Sequence, residues 1–226
     1  MATGVIKGIG SGSGGNNGGT LIVAIPSPAS KYTPGDPTKP TPRSSPTDAG
    51  NSGSEIEYST TLSLAVGDLV EFTVDANGIV TATAKLSSGT VITGVRDAKV
   101  EATANAAFLI LGATVNGKVT ANAGTVVITG GSIIDGKVDI DNNSTIVIAG
   151  NSKVNGKVDC TNGNRLYMFS SVVDGKTTST GDKYITIQNC TIDGKLEIKT
   201  EPVEGCMIRD NTVNGKILSA GACIPA

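Results

Sequence analysis

The chain has 226 residues, a formal net charge of −2, no histidine and only 3 % aromatic residues. A length of this order suits one large or two modest domains. Without histidine the chain cannot form a Ser-His-Asp triad or most metal sites, and no apolar run reaches the ~20 residues that span a membrane. The first residues do not form a secretory signal, so we expect synthesis in the cytoplasm. Thirty glycines and many valines, isoleucines and threonines indicate an all-β chain.

Residues 1–94 predict a small β-domain built from two hairpins. Residues 3–9 and 20–25 predict paired strands around a glycine-rich turn. Residues 62–74 alternate, residues 75–78 predict a turn, and residues 79–86 predict the returning strand. Between the hairpins, residues 26–54 hold all but two of the prolines and predict a long loop. The domain is therefore predicted to be a small β-barrel or sandwich.

Two stretches of this domain, residues 3–7 and 66–72, resemble strands of OB-type barrels, and the opening is similar to cold-shock proteins. That resemblance implies binding of single-stranded nucleic acid through surface aromatic side chains beside a basic groove. The first 94 residues contain only three aromatic residues, Tyr32, Tyr58 and Phe72, and most of their basic residues fall in the proline-rich loop. We therefore expect an adaptor domain and do not expect nucleic acid as a partner.

From residue 96 onward the chain repeats a short motif centred on glycine and followed by lysine. The glycine position advances by 19, 19, 20, 19, 19 and 21 residues, which is typical of a solenoid. The central positions are Ala98 (a degenerate first copy), Gly117, Gly136, Gly156, Gly175, Gly194 and Gly215. Aliphatic residues two before and two after the glycine, and a second alternating run such as Val126 and Ile128, predict inward faces of short strands.

Residues 95–226 therefore predict a single-chain parallel β-helix of about seven coils with a C-terminal cap. Each coil is predicted to hold two or three short strands joined by tight corners. The Asn-Gly or Asp-Gly pair in the motif predicts a corner at which glycine takes a positive φ. The coil length varies and the hexapeptide rhythm of left-handed helices is missing, which favours a right-handed helix.

The lysine after each repeat glycine is a candidate contact for an anionic surface. One register should place these lysines ~4.8 Å apart along the helix. The alternative is that corner lysines keep the solenoid soluble. Asp135, Asp174 and Asp193 precede their glycines and are predicted to offset part of the charge. The candidate contact residues are Lys118, Lys137, Lys157, Lys176, Lys195 and Lys216.

Three acidic residues share the outward register three positions after the glycine: Asp139, Asp159 and Glu197. Glycosidases and lyases built on β-helices use such carboxylates, usually with aromatic platforms for sugars, and these are scarce here. Thr120 and Thr178 interrupt the acidic register, so we favour a solvated sheet face. We accordingly predict no enzyme, no catalytic residue, no cofactor and no metal site.

Two of the four cysteines are predicted to be small core residues, one to lie at a corner and one in the terminal cap. Cys160 and Cys206 fall in inward registers, Cys190 takes a corner place that is serine in other coils, and Cys223 lies in the cap. No CxxC pair is present, so we do not expect zinc. We expect reduced thiols in a protein made in the cytoplasm.

Two family resemblances follow from this layout. Residues 96–220, with their Asn/Asp-Gly-Lys corners and short coils, resemble bactofilins, which implies a cytoskeletal polymer. The whole chain, an OB-like domain followed by a β-helix, looks like bacteriophage virion proteins of the spike, fibre or decoration kind, which implies a structural role in a virion. A β-helix that binds or cleaves carbohydrate is a further alternative.

We predict a structural protein that docks on virion or assembly proteins through residues 1–94 and projects its β-helix. A homo-oligomer is compatible with this prediction. The predicted location is the virion, after synthesis in the bacterial cytoplasm, with the cytoplasm itself as the alternative.

Overall fold

A computed structural model describes residues 2–11, 17–25, 55–75, 77–221 and 223. The chain divides into two compact units, Met1–Gly89 and Thr90–Ala226. These described residues form strands and turns without a helix, so none of them belongs to a helix able to cross a membrane. The predicted all-β class is confirmed, while the predicted loop at residues 26–54 lies outside the described residues.

The first unit is a closed barrel of five strands in the order β1-β2-β3-β5-β4. The strands are β1 (Ala2–Ser11), β2 (Asn17–Ile25), β3 (Glu55–Thr60), β4 (Leu69–Val74) and β5 (Val80–Ser87). Both predicted hairpins, β1–β2 and β4–β5, are antiparallel pairs. β3 was not predicted; it lies antiparallel to β2 and parallel to β5, and so closes the barrel. Ile6, Leu21, Val70 and Phe72 are buried in its core.

The second unit is a solenoid of about eight turns built from stacked parallel strands. Its strands in chain order are β6 (Gly89–Arg96), β7 (Val100–Ala102), β8 (Ala107–Val115), β9 (Val119–Asn122), β10 (Thr125–Thr129), β11 (Ile133–Ile134), β12 (Val138–Asp141), β13 (Thr145–Ile148), β14 (Lys153–Val154), β15 (Val158–Thr161), β16 (Arg165–Phe169), β17 (Val172–Val173), β18 (Thr177–Thr180), β19 (Tyr184–Gln188), β20 (Thr191–Ile192), β21 (Leu196–Ile198), β22 (Gly205–Arg209), β23 (Thr212–Val213) and β24 (Ile217–Ser219).

Three stacks of strands form the walls of the solenoid. The first stack runs β8-β10-β13-β16-β19-β22, and the second runs β8-β11-β14-β17-β20-β23, because β8 is long enough to take part in both. The third stack is a separate seven-stranded sheet, β7-β9-β12-β15-β18-β21-β24, which we call the third sheet. Each full coil thus has three strands, and β6 pairs with β8 at the start.

The inward registers are those that the sequence predicts. Val119, Val138 and Val158 stand next to one another in adjacent strands of the third sheet and are fully buried. Val126 and Ile128 continue the core on the first stack. Burial of each such side chain contributes roughly 2 kcal/mol, and each interior coil is covered by a neighbouring coil on both sides.

The predicted positive φ at the repeat glycines is wrong. Within the described residues of the coils, positive φ falls elsewhere, at positions such as Asn142, Asn151 and Asn162. The repeat glycines are needed for close approach instead: a Cβ built on Gly156 would lie 2.5 Å from the carbonyl oxygen of Gly136 in the preceding coil. The same contact recurs along the stack, because each repeat glycine lies against the corner backbone of the coil before it.

The expectation of reduced thiols is wrong for two of the four cysteines. Cys206 and Cys223 form a disulfide that ties the cap to β22. Cys206 does lie in the inward register, beside Ile185 of the preceding coil. Cys160 and Cys190 are both free and buried; burial was predicted for Cys160, whereas Cys190 was predicted only to occupy a corner.

Candidate functional site

The outward side of the third sheet carries the candidate residues of the sequence analysis: the lysines after the repeat glycines and the acidic residues two positions beyond them. The repeat lysines stand in one column because the backbone of each coil binds the next at this point. The amide of Val119 donates to the carbonyl of Lys137 at 3.0 Å, and the amide of Val138 donates to that of Lys157 at 2.9 Å. We call this column, with Lys99 at its start, the lysine ladder. It comprises Lys99, Lys118, Lys137, Lys157, Lys176, Lys195 and Lys216.

The acidic residues form a second column beside the lysine ladder. Asp139, Asp159, Thr178 and Glu197 are direct neighbours in successive strands, with Thr120 before them. This is the shared outward register that the sequence predicts. Successive strands of a sheet lie about 4.8 Å apart, so the backbone positions of Asp139 and Asp159 are separated by one such step.

Most members of the lysine ladder form ion pairs with carboxylates in this outward register. Lys157 pairs with Asp159 at 2.6 Å, and Lys195 pairs with Glu197 at 2.9 Å, each two residues along the same strand edge. Lys99 and Glu101 make the equivalent pair at 2.7 Å. Lys118 has Thr120 rather than a carboxylate two residues later, so it pairs with Asp139 of the following coil.

Asp139 consequently bridges two coils. Its Oδ2 accepts from Lys118 at 2.5 Å and from Lys137 at 2.7 Å. Burial raises the pKa of Asp139, but the hydrogen bonds from the two lysines outweigh burial and leave the pKa below its ordinary value. The pKa of Glu197 is also lowered, by its hydrogen bond from Lys195. Both carboxylates are therefore ionised at neutral pH, the form in which they pair with lysine.

The aspartates that precede the glycines make their direct contacts outside the lysine ladder. Asp174 pairs with Lys153 at 2.9 Å rather than with a lysine of the ladder. Asp193 accepts from the side-chain amide of Asn214 at 2.6 Å, and Asp135 accepts from Asn155 in the same way. Asparagine and aspartate at this corner thus bind each other between coils, which stabilises the stack. The lysines of the ladder pair instead with the carboxylates of the second column.

Two lysines of the ladder stand apart from this pattern. Lys176 and Lys216 have Thr178 and Leu218 at the position where other coils carry a carboxylate. Neither forms an ion pair with a described residue. The hydroxyl of Thr178 is buried and has no hydrogen-bond partner among the residues that the structure describes. Of the six lysines nominated as an anionic contact, these two therefore keep the most available positive charge.

A separate, buried column of polar residues, which was not predicted from the sequence, lies inside a corner of the solenoid. The amide of Ser144 donates to Oδ1 of Asn164 at 2.9 Å, and the amide of Asn164 donates to Oδ1 of Asp182 at 3.3 Å. Ser179 donates its hydroxyl to the other oxygen of Asp182. All four residues are buried, and Asp182 is only 1 % exposed.

Burial raises the pKa of Asp182, although the hydrogen bonds from Ser179 and Asn164 act in the opposite direction. The signal in the sequence is a polar residue recurring ahead of the first strand of successive coils, at residues 144, 164 and 182. Its chemistry is structural: each side chain binds the backbone amide of the coil before it, which a buried corner would otherwise leave unsatisfied.

Across the described residues, no group of three or more Cys, Asp or Glu side chains is arranged to hold a metal ion. Comparison of the chain with family models, with curated proteins and with solved structures finds no match.

Proposed function

We propose that the chain is a non-enzymatic structural protein of a virion or a similar assembly, as a fibre, decoration or tail component. The observation that carries this proposal is the use made of the polar residues of the repeat. Lysines pair with carboxylates, Asn214 binds Asp193, and Asn164 binds Asp182, each pair spanning a strand edge or two coils. Polar side chains that bond to one another in this way connect the coils of the solenoid, which suits a rigid structural element.

The barrel supports a docking role for the first unit. Its strand order β1-β2-β3-β5-β4, with a parallel β3–β5 pair closing otherwise antiparallel neighbours, supports an OB-like identity. Tyr58 and Phe72 are both buried in the barrel, so neither is free to stack on a base. A protein partner therefore suits this barrel better than a single-stranded nucleic acid.

A competition experiment tests the proposal. Labelled full-length chain is mixed with the parent particles and pelleted, in the presence of excess unlabelled residues 1–89 or residues 90–226. Circular dichroism first checks that each fragment is folded. The proposal predicts that the first fragment displaces the label and the second does not. Displacement by the solenoid alone would refute docking through the barrel, and failure of the full chain to pellet would refute the structural role.

A bactofilin-like polymer is the second candidate, and the last coil favours it. Ile217 is 42 % exposed and Leu218 is 47 % exposed, so the end of the solenoid presents apolar side chains on an edge strand. Negative-stain microscopy separates the candidates: discrete particles support the virion proposal, and filaments that lengthen with concentration support the polymer.

A further inference from the structure

The two ends of the solenoid are complementary by virtue of the repeat itself. The third sheet ends in β7 on one side and β24 on the other, and both are edge strands within the described residues. Edge strands offer unpaired backbone groups on which another strand can add. Ile217 in β24 is 42 % exposed, whereas Leu196 at the same position one coil earlier is fully buried. A further coil would bury Ile217 as it buries Leu196.

The charges at the two ends of the solenoid are complementary as well. Lys118 reaches forward to Asp139 of the following coil. Lys216 in the last coil forms no such pair with a described residue, while Glu101 in the first coil occupies the register of Asp139. The first coil of a second copy, placed on the last coil of this one, would bring Glu101 to Lys216.

Ala98 obstructs that placement. A Cβ on any repeat glycine would point into the preceding coil; on Gly136 it would lie 2.5 Å from the carbonyl oxygen of Gly117. Ala98 stands at this position in the first coil and carries the Cβ that the later coils lack. A coil from another copy could not approach the first coil as closely as the coils approach one another.

The last coil carries its own obstruction. Cys223 is 1 % exposed and joins the same apolar cluster as Val213 and Ile208, so it lies over the interior at the end of the stack. The disulfide to Cys206 holds it there. A second copy would have to displace Cys223, which is covalently bound to Cys206.

We propose that Ala98 and the Cys206–Cys223 disulfide are two independent blocks that prevent head-to-tail stacking of this chain on copies of itself. The partner that the ends would otherwise accept is a second copy of the same solenoid. This inference does not depend on which assembly the barrel docks to.

The test is sedimentation velocity of the full-length chain over a hundredfold range of concentration, under non-reducing conditions. Wild type, Ala98→Gly and Cys223→Ser should each sediment as one species. The double variant Ala98→Gly/Cys223→Ser should form species whose mean sedimentation coefficient rises at least twofold with concentration. Ala104→Gly/Cys223→Ser is the matched control, because Ala104 is an exposed residue of the first coil outside the repeat corner; it should not assemble.

A dithiol provides a second route that avoids substituting cysteine. The dithiol reduces the Cys206–Cys223 bond to two thiols and itself becomes a disulfide, so reduced Ala98→Gly should assemble while reduced wild type should not. Assembly of the wild type, of either single variant without reductant, or of the Ala104 control would overturn the proposal. A double variant and a reduced Ala98→Gly chain that both remain a single folded species would overturn it equally.

Discussion

Replacing Gly156 by alanine is expected to cost about 3 kcal/mol in the free energy of unfolding. The added Cβ would lie 2.5 Å from the oxygen, 2.8 Å from the carbon of the Gly136 carbonyl and 3.0 Å from the amide nitrogen of Lys137. The first distance is about 0.9 Å shorter than an ordinary contact of 3.4 Å. Overpacking of this kind costs roughly 1–3 kcal/mol, and we expect the upper end because backbone atoms cannot rotate away.

Urea unfolding followed by circular dichroism measures this loss, with Gly131→Asn as the control. Gly131 has a φ of +73° and open space around its Cβ position, so asparagine, which tolerates this conformation, should cost about 1 kcal/mol or less. Gly156→Asn should be at least as damaging as Gly156→Ala. A Gly156→Asn variant as stable as Gly131→Asn would show that the repeat corner requires φ rather than space, and would refute the reasoning.

Three further predictions concern charge and burial. Val158→Asp should cost about 3–5 kcal/mol, because it places an unpaired carboxylate in the core, whereas Lys157→Ala next to it should barely change the thermal midpoint; equal losses would refute the inward register. Asp182 has a raised pKa in the folded chain, so its stabilising protonated form is lost as pH rises above about 3.8 through the folded pKa. The stability of Asp182→Asn relative to wild type should therefore increase from acid to neutral pH, and a constant difference would contradict this. Asp139 has a lowered pKa, so its contribution is lost as pH falls below about 3.8; Lys118→Ala should raise that pKa in a carboxyl titration by NMR, and an unchanged pKa would argue against the bridge.

The coil architecture could be predicted from the sequence because the same pattern of inward and outward residues recurs in each copy of the repeat. An aliphatic residue two positions after every repeat glycine except Gly175 predicts the same inward register in coil after coil, and Val138 does lie beside Val158. The same repetition places Asp139, Asp159 and Glu197 in one outward column. β3 could not be predicted in this way, because residues 55–60 occur once and their pairing partners, β2 and β5, are supplied by the tertiary fold.

The roles of individual polar residues could not be predicted, because they depend on distances between coils. A glycine in an Asn-Gly pair can serve a positive φ or a close approach, and the sequence is the same in both cases. Asp135 and Asp139 are equally near Lys137 along the chain, yet only Asp139 forms an ion pair with it. Cys206 and Cys223 are brought together by the tertiary fold, and no spacing rule indicates their pairing.

The proposal that this chain is a structural part of a virion is tested most directly by immunogold electron microscopy. Antibodies against the solenoid are applied to purified particles released from the organism that encodes the chain, and mass spectrometry of the same particles measures its copy number. The account predicts gold at a defined position on the particle surface and a fixed number of copies per particle. Particles without label, or label confined to filaments inside the cells, would contradict it.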